Sequence, residues 1–250
     1  MAYSAPRFTI KLKKILIGGA AVFPNLISKI HGILPGVETV VVYGSTEAEP
    51  ISHIKGTEFM DFHSINGLEK GLFVGNSDRA TEIVIIPMEY RVGQSFSPIT
   101  TPDMAGEICV SGSHVLQGYI DNPEAEKINK IWEGKKCWHR TGDAGYISNT
   151  GGLFLLGRCK QIIIYQNKTY YPFLVEYFMQ NLPEIICGTL LIKDEKLLAI
   201  VQPHSDGHLL ETENIISQRI PEAKILFRKK IPMDPRHHSK IDYDLLKKII

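Results

Sequence analysis

The chain has 250 residues, of which 44% are hydrophobic and 22% are charged, and its formal net charge is +1. This length and composition are typical of a globular protein with one large or two modest domains. A net charge so close to zero excludes the strong surface field expected of a nucleic-acid binder or of a partner for cations. The cysteines (Cys109, Cys137, Cys159 and Cys187) are widely scattered and form no C-x-x-C pair, so we expect free thiols, no structural zinc and a cytoplasmic protein.

The first element is an apolar run behind lysines, "KLKKILIGGAAVF" at 11–23, which has two interpretations. Lysines before a short apolar stretch resemble a secretory signal. The alternative is a buried strand, "KKILIG", followed by a helix, and Pro24 with the spacing of Leu26, Ile30 and Ile33 favours it. The run is too short to span a bilayer and no other segment is long enough, so we expect no membrane span.

The next segments predict two different kinds of sheet. The second strand, "ETVVVYG", is almost continuously apolar, and strand, helix and strand together predict a βαβ unit of a parallel sheet. From 56 to 157, short strands separated by Gly, Pro, Asn and Asp predict an antiparallel barrel or folded sheet. One helix interrupts them, "NPEAEKINKIWEG", with Asn122 as N-cap, Pro123 at the first position and an expected end at Gly134.

From about residue 160 onward, strands and helices alternate closely. The segments are "KQIIIYQNK", the helix "YPFLVEYFMQNLP", "GTLLIKDEKLLAIVQP", a helix around 211–219, "AKILFRKKIP" and a helix after Ser239. The predicted fold class is therefore α/β plus β-barrel plus α+β. We expect a core at 1–157, made of an α/β part at 1–55 and a β-barrel subdomain at 56–157, then a hinge at 158–160 and a small α+β domain at 161–250.

One polar cluster, "YGSTE", follows the carboxyl end of the second strand, the edge where open α/β sheets bind ligands. The Thr46 hydroxyl can donate to a phosphate oxygen, and Glu47 offers the hard oxygen that magnesium prefers. The alternative is a turn followed by an ordinary helix cap.

A second pair, Asp143 in "RTGD" and Arg158 in "GR", flanks a glycine-rich meander. Asp143 could accept from both hydroxyls of a ribose, and Arg158 could bind the same sugar or a nearby phosphate. The alternative is hairpin turn chemistry. The glycine pair of "GGA" at 18–20 would let the backbone approach a flat ring, but it is weak evidence by itself.

Taken in order, Gly-Gly-Ala, Tyr-Gly-x-Thr-Glu, Thr-Gly-Asp, Gly-Arg and a C-terminal lysine form one series. This series resembles that of the adenylate-forming enzymes, which include acyl-CoA synthetases, luciferases and adenylation domains, along essentially the whole chain. The resemblance implies the C-terminal half of such an enzyme, with ATP or AMP and Mg²⁺ as cofactors and a carboxylic acid as substrate. The expected reaction converts the carboxylate and ATP to an acyl-adenylate and pyrophosphate.

The resemblance also assigns roles. Catalytic roles would fall on Lys240, which bridges carboxylate and phosphate, on Thr46 at the phosphate and on Glu47, the magnesium ligand. Nucleotide-binding roles would fall on Gly18, Gly19, Ala20, Tyr43, Gly44, Asp143 and Arg158. Among these the glycines and alanine line adenine, Tyr43 stacks on it, and Asp143 and Arg158 hold the ribose. Lys160 would be the hinge about which the small domain rotates.

Finer similarity and two departures shape the expected function. "YGSTEAEPIS" and "DPRHHSKI" are similar to olefin β-lactone synthetases and related fatty-acid ligases, which implies a fatty or β-hydroxy fatty acid. The family's Ser/Thr/Gly-rich phosphate loop is not found in the sequence, so we expect inactivity alone and a separate polypeptide supplying the N-terminal half. Ile164 and Asn167 stand where many CoA ligases carry Lys and Gly, which disfavours thioester formation. The alternative is a non-catalytic remnant or regulatory fragment that binds AMP or a partner.

Overall fold

The structure is a computed structural model that describes residues 12–205, 209–235 and 238–250. The strands in these ranges are β1 (Lys14–Ile17), β2 (Glu38–Ser45), β3 (Ala48–Lys55), β4 (Leu72–Phe73), β5 (Glu82–Ile86), β6 (Gly106–Ser111), β7 (Lys130–Glu133), β8 (Lys136–Ile147), β9 (Leu153–Arg158), β10 (Ile163–Tyr165), β11 (Lys168–Tyr170), β12 (Ile185–Lys193), β13 (Lys196–Pro203) and β14 (Lys224–Phe227). The helices are α1 (Pro24–Ile33), α2 (Gly56–Asn66), α3 (Pro123–Asn129), α4 (Pro172–Gln180), α5 (Leu210–Arg219) and α6 (Tyr243–Ile249). No helix in the described ranges has the length and apolar character needed to cross a membrane.

The first sheet has the order β1-β2-β3 and confirms the predicted βαβ unit. β1 and β2 are parallel, with Lys14 opposite Glu38, and α1 connects them. "KKILIG" is therefore a strand and the segment from Pro24 a helix, as the favoured interpretation predicted. β3 returns antiparallel to β2, so Thr46 and Glu47 form the turn of a hairpin rather than a helix cap.

The second sheet is antiparallel, with the order β4-β9-β8-β6-β5 and β7 paired to β8. It is a folded open sheet, the second of the two predicted possibilities. The barrel subdomain expected at 56–157 does not close among the described strands, because the edge strands β4 and β5 are not paired with each other. β4 has only two residues, which is too short to extend the ladder.

The helix predicted from Asn122 begins as expected and ends earlier. The Asn122 side chain accepts from the Ala125 backbone N–H at 3.1 Å, and Pro123 is the first helical residue. The helix ends at Asn129 instead of Gly134, because residues 130–133 form β7 opposite β8. This pairing buries Ile131 against Trp138, which a continued helix would not achieve.

The C-terminal segment forms the expected mixture of strands and helices. β12, β13 and β14 make one sheet, with β13 and β14 parallel, and β10 and β11 form a hairpin. The core of this region is built from residues such as Met179, Leu197 and Ile216, all fully buried. The α+β character predicted for 161–250 is confirmed.

Helix α4 contacts both parts of the chain. Its Val175 and Met179 belong to the C-terminal core. On the other side, the Phe173 and Tyr177 rings lie 6.3 and 5.6 Å from the ring of Phe23, which directly precedes α1. A division into two bodies with a hinge at 158–160 stays a prediction, and α4 is one of the elements through which the two parts are in contact.

Candidate active site

A cavity of about 1080 Å³ lies between the first two sheets and the C-terminal segment. Every residue that the sequence assigned to the site, apart from Gly18, lines it. These are Gly19, Ala20, Tyr43, Gly44, Thr46, Glu47, Asp143, Arg158, Lys160 and Lys240. Side chains separated by up to about 200 positions thus face one space, while the individual roles assigned to them stay predictions.

The Gly-Gly-Ala turn divides into two parts. A Cβ at Gly18 would lie 2.6 Å from the Val42 carbonyl oxygen, so Gly18 allows β1 and β2 to pair closely instead of facing the cavity. Gly19 has a φ of 81° and no heavy atom within 4 Å of its Cβ position. The backbone of Gly19 and Ala20 therefore provides an open wall where a flat ring could lie.

Asp143 is held from two sides. It stands opposite Arg158 across β8 and β9, and the Arg158 Nε lies 3.2 Å from Asp143 Oδ1. The buried Tyr43 donates its hydroxyl to Asp143 Oδ2 at 3.0 Å. Each carboxylate oxygen retains a second lone pair, so this geometry orients the group without using its full accepting capacity.

The turn that carries Asp143 is supported by residues that the sequence reading missed. The Thr141 hydroxyl donates to the Ile108 carbonyl at 2.9 Å and accepts from the Asp143 N–H at 3.1 Å. The buried Glu107 accepts from the Gly142 N–H and from the Arg140 guanidinium. In the sequence, "GEIC" gave no sign that Glu107 would face this turn, because the two segments meet only through strand pairing.

Burial dominates the electrostatics of this corner. It raises the pKa of Asp143, although the Arg158 guanidinium, the Tyr43 hydroxyl and the Lys240 ammonium act in the opposite direction. Burial and the neighbouring Asp143 also raise the pKa of Tyr43 well above its usual value, so the phenol stays a donor. Asp143 and Lys240 both line the large cavity.

Glu47 occupies the turn after β2 and has two polar neighbours. Its Oε1 accepts from the Tyr119 hydroxyl at 3.1 Å, and its Oε2 lies 4.0 Å from the His139 Nε2. Burial opposes ionisation of Glu47, but a backbone hydrogen bond and the Tyr119 hydroxyl outweigh it and lower the pKa. Burial and the nearby Lys130 lower the pKa of His139 to about 4, so this imidazole is neutral at pH 7.

The sequence reading also missed Tyr119, Lys130 and His139. Lys130 is buried, donates to the Leu116 carbonyl and lies 5.3 Å from the centre of the Tyr119 ring. The Leu116 N–H in turn donates to the Glu47 carbonyl at 2.8 Å. A buried lysine supported in this way fixes the segment that orients Glu47, and no local sequence signal distinguishes it from a surface lysine.

Magnesium requires oxygen ligands such as carboxylates, and Glu47 is the candidate that the sequence assigned to this role. Within 12–205, 209–235 and 238–250 no group of three or more His, Cys, Asp or Glu side chains suits a metal ion. Glu47 offers a carboxylate at the cavity wall, directly after the Thr46 hydroxyl in the turn that follows β2. Because Mg²⁺ commonly uses one or two carboxylates and completes its shell with substrate phosphates and water, Glu47 fits an ion shared with a phosphate ligand.

Lys240 lies close to Asp234, which is hydrogen-bonded to residues 239 and 240. The Asp234 Oδ1 accepts from the backbone N–H groups of Ser239 and Lys240, and the Asp234 N–H donates to the Lys240 carbonyl. Met233 and Ile241 pair in an isolated bridge. These contacts place the Lys240 side chain at the cavity wall.

Comparison with known proteins gives consistent results. No protein-family model matches the chain. It is 32% identical over 185 residues to the mitochondrial medium-chain acyl-CoA ligase ACSF2 of Rattus norvegicus, covering 73% of this chain and 27% of that protein. It is 29% identical over 246 residues to 4-coumarate–CoA ligase 1 of Oryza sativa subsp. japonica, covering 93% of this chain and 41% of that protein.

Solved structures share the fold. The amide bond synthetase McbA of Marinactinospora thermotolerans has a TM-score of 0.72 at 21% identity, covering 95% of this chain and 46% of that one. The O-succinylbenzoate coenzyme A synthetase MenE of Bacillus subtilis, in complex with AMP, has a TM-score of 0.70 at 23% identity, covering 94% and 45%. The chain thus spans less than half the length of these relatives. In sequence and fold, the chain corresponds to the C-terminal half of an adenylate-forming enzyme of the acyl-CoA synthetase superfamily.

Proposed function

We propose that the chain is the nucleotide-holding and lysine-bearing part of an ATP-dependent ligase that activates a carboxylic acid as its acyl-adenylate. One observation carries this proposal. A single cavity gathers the Thr46 hydroxyl, the Glu47 and Asp143 carboxylates, the Arg158 guanidinium and the Lys240 ammonium from distant parts of the chain. Together these groups suit a ligand with a ribose, a phosphate and a carboxylate.

In the proposed reaction, a carboxylate oxygen attacks the α-phosphorus of ATP, and pyrophosphate leaves with the electron pair of the broken P–O bond. Asp143 and Arg158 orient the ribose, and Thr46 donates to a phosphate oxygen. Lys240 neutralises the negative charge that gathers between the carboxylate and the phosphate. A magnesium ion held by Glu47 would offset phosphate charge.

The proposed acyl group and the proposed nucleotide are supported by different observations. Structures of MenE with ATP and magnesium, and with the acyl-adenylate OSB-AMP, share this fold and support the nucleotide. The ligase relatives are named for medium-chain acyl groups and for 4-coumarate, so they do not select one acid. A fatty or β-hydroxy fatty acid is proposed on the similarity of "YGSTEAEPIS" and "DPRHHSKI" to the fatty-acid ligases.

A second candidate function is binding of AMP or a partner without turnover, which needs the ribose contacts of Asp143 and Arg158 but no contact to the outer phosphates of ATP. In this alternative the cavity holds AMP, and Lys240 neutralises no charge that develops during a reaction. Both functions require the ribose contacts, so these are tested first.

AMP binding by calorimetry tests the shared basis. A hydrogen bond to a charged group contributes about 1.5–3 kcal/mol, so Asp143→Ala should weaken AMP binding at least about tenfold. Asp61→Ala, which removes an exposed carboxylate on α2, is the matched control and should leave the affinity unchanged. Equal AMP affinity in Asp143→Ala and the unmodified chain would contradict the ribose assignment.

A further inference from the structure

A second, smaller cavity of about 220 Å³ adjoins the large one. The walls of the two cavities have Ala21, Glu176, Ser239 and Ile241 in common. The outer wall of the smaller cavity is formed by the start of α1, with Asn25 and Lys29, and by Gln180 and Cys187 of the C-terminal part. None of these outer residues has a part in the proposed adenylation.

Glu176 stands where the two cavities meet and is partly exposed. It lies on α4, and its Oε1 accepts from the Tyr243 hydroxyl at 2.7 Å. That hydroxyl lies 2.6 Å from the Thr189 Oγ1, so the phenol is fixed by two partners. No described residue donates to the second carboxylate oxygen of Glu176. This leaves one oxygen of an oriented carboxylate for a ligand in either cavity.

We propose that the smaller cavity admits the amine of an acyl acceptor, and that Glu176 accepts the proton of that amine as it attacks the adenylate. This inference rests on the proposed function, since it needs an acyl-adenylate in the large cavity. An amine is favoured over a thiol for a chemical reason. A neutral amine becomes cationic as it attacks, so a carboxylate beside it stabilises the charge and removes the proton, whereas a thiol reacts as its thiolate.

The step balances in atoms and charge. The amine nitrogen forms a bond to the acyl carbonyl carbon, and the bond from that carbon to the phosphate oxygen of AMP breaks. AMP leaves with the electron pair. The proton lost by nitrogen passes to the free oxygen of Glu176 and then to water, which leaves an amide and AMP.

Electrostatics suit Glu176 to this role. Burial raises its pKa to about 7, with the Tyr243 hydroxyl acting in the opposite direction. Near neutral pH such a carboxyl can both accept and release a proton. Other titratable groups on the walls of the two cavities include Tyr243 of α6, Cys187 of β12, Lys29 of α1, Lys240, and the carboxylates of Asp234, Asp242 and Asp244. Burial raises the pKa of both Tyr243 and Cys187, so these two stay protonated and do not compete as bases.

The test supplies the adenylate ready-made, so that it does not depend on ATP chemistry. The chain is mixed with synthetic dodecanoyl-AMP and hydroxylamine, a small amine that is uncharged at neutral pH, and hydroxamate is measured above the rate in buffer. We expect acceleration by the chain, with a rate that rises with pH through about 7 as Glu176 loses its proton. Glu176→Gln preserves shape and can still accept from Tyr243. It should lower the rate at least tenfold and abolish the pH dependence.

Four outcomes separate the hypotheses. If the chain binds neither AMP nor dodecanoyl-AMP, the proposed function fails and this inference fails with it. If it binds dodecanoyl-AMP but Glu176→Gln transfers at the same rate with the same pH profile, only the role of Glu176 is overturned. Transfer to the thiol N-acetylcysteamine that exceeds transfer to hydroxylamine would overturn the choice of an amine. Gln180→Trp, which narrows the smaller cavity, should slow transfer to benzylamine more than hydrolysis, and equal effects on both would contradict the entry route.

Discussion

The carboxylate of Asp143 is oriented by contacts within the protein. The residue is only 8% exposed, and both carboxylate oxygens already have a protein donor. In the proposed function, a ribose would meet a carboxylate whose orientation is fixed, which would reduce the entropy lost on binding. The same burial raises its pKa, so the two donors also serve to keep it ionised.

Removing the Tyr43 hydroxyl tests how much its hydrogen bond to Asp143 stabilises the protein. Tyr43→Phe leaves the Asp143 Oδ2 without its donor, and the free energy of unfolding at pH 7 should fall by about 1.5–3 kcal/mol. The donor mainly stabilises the ionised carboxylate, whose pKa is already raised by burial. The loss should therefore shrink as the pH falls through that pKa and Asp143 takes up a proton.

Urea denaturation at neutral and acidic pH measures this difference. Asp143→Asn, alone and combined with Tyr43→Phe, completes a double-mutant cycle that isolates the coupling between the two side chains. Equal destabilisation by Tyr43→Phe at both pH values would show that the contribution of the hydroxyl does not depend on ionisation of Asp143.

At the level of elements, the sequence predicted many strands and helices but missed α2 (Gly56–Asn66), where short strands were expected, and the features that depend on strand pairing. Hydrophobic patterning and the Asn-Pro cap located β1, α1 and the start of α3. It did not reveal β7, because the choice between helix and strand at 130–133 is decided by burial of Ile131 beside Trp138. Glu107 and Lys130 were missed for the same reason, since their partners are fixed by the register of β6, β7 and β8.

Gly157 of β9 lies against Pro172 of α4, so its substitution tests how closely these two elements must pack. It has a φ of 130°, and a Cβ there would lie 2.8–2.9 Å from ring atoms of Pro172, the first residue of α4. Gly157→Ala should therefore push α4 away from β9 and lower the free energy of unfolding by about 1–3 kcal/mol or more. AMP affinity should fall too, because the adjacent Arg158 would shift.

Gly151→Ala is the matched control for this substitution. Gly151 also has a positive φ, 84°, but no heavy atom lies within 4 Å of its Cβ position. It should show only the backbone cost and leave AMP affinity unchanged. If the two alanine variants unfold at the same urea concentration, the contact with Pro172 does not determine the position of α4.

At the scale of the whole molecule, the cavity is shared between parts of the chain that meet through α4 and the segment around Lys160. Phe23 lies two residues after the Gly-Gly-Ala-Ala turn, and its ring contacts Phe173 and Tyr177 of α4. Glu176 of the same helix bonds to Tyr243, three residues after Lys240. Helix α4 thus connects the segment that carries Lys240 with the segment that follows the Gly-Gly-Ala turn. A rotation about Lys160 that separates these rings would also withdraw Lys240 from the cavity.

The last prediction concerns activity and compares the two proposed functions. Formation of an adenylate requires donors around the departing pyrophosphate, and loss of one such donor costs about a hundredfold or more in rate. The groups assigned to that task in this chain are the Thr46 hydroxyl, the Lys240 ammonium and a magnesium ion that Glu47 would hold. We therefore expect no carboxylate-dependent ATP–pyrophosphate exchange from the 250 residues alone with fatty acids of any length. Adding a polypeptide that supplies the N-terminal half of a related ligase should restore exchange if the chain is part of an enzyme. Lys240→Ala should then abolish it, while Lys29→Ala, outside the large cavity, should not. Robust exchange by the chain alone would contradict the need for a second half. Absence of exchange in every reconstituted mixture, together with intact AMP binding, would favour the non-catalytic fragment.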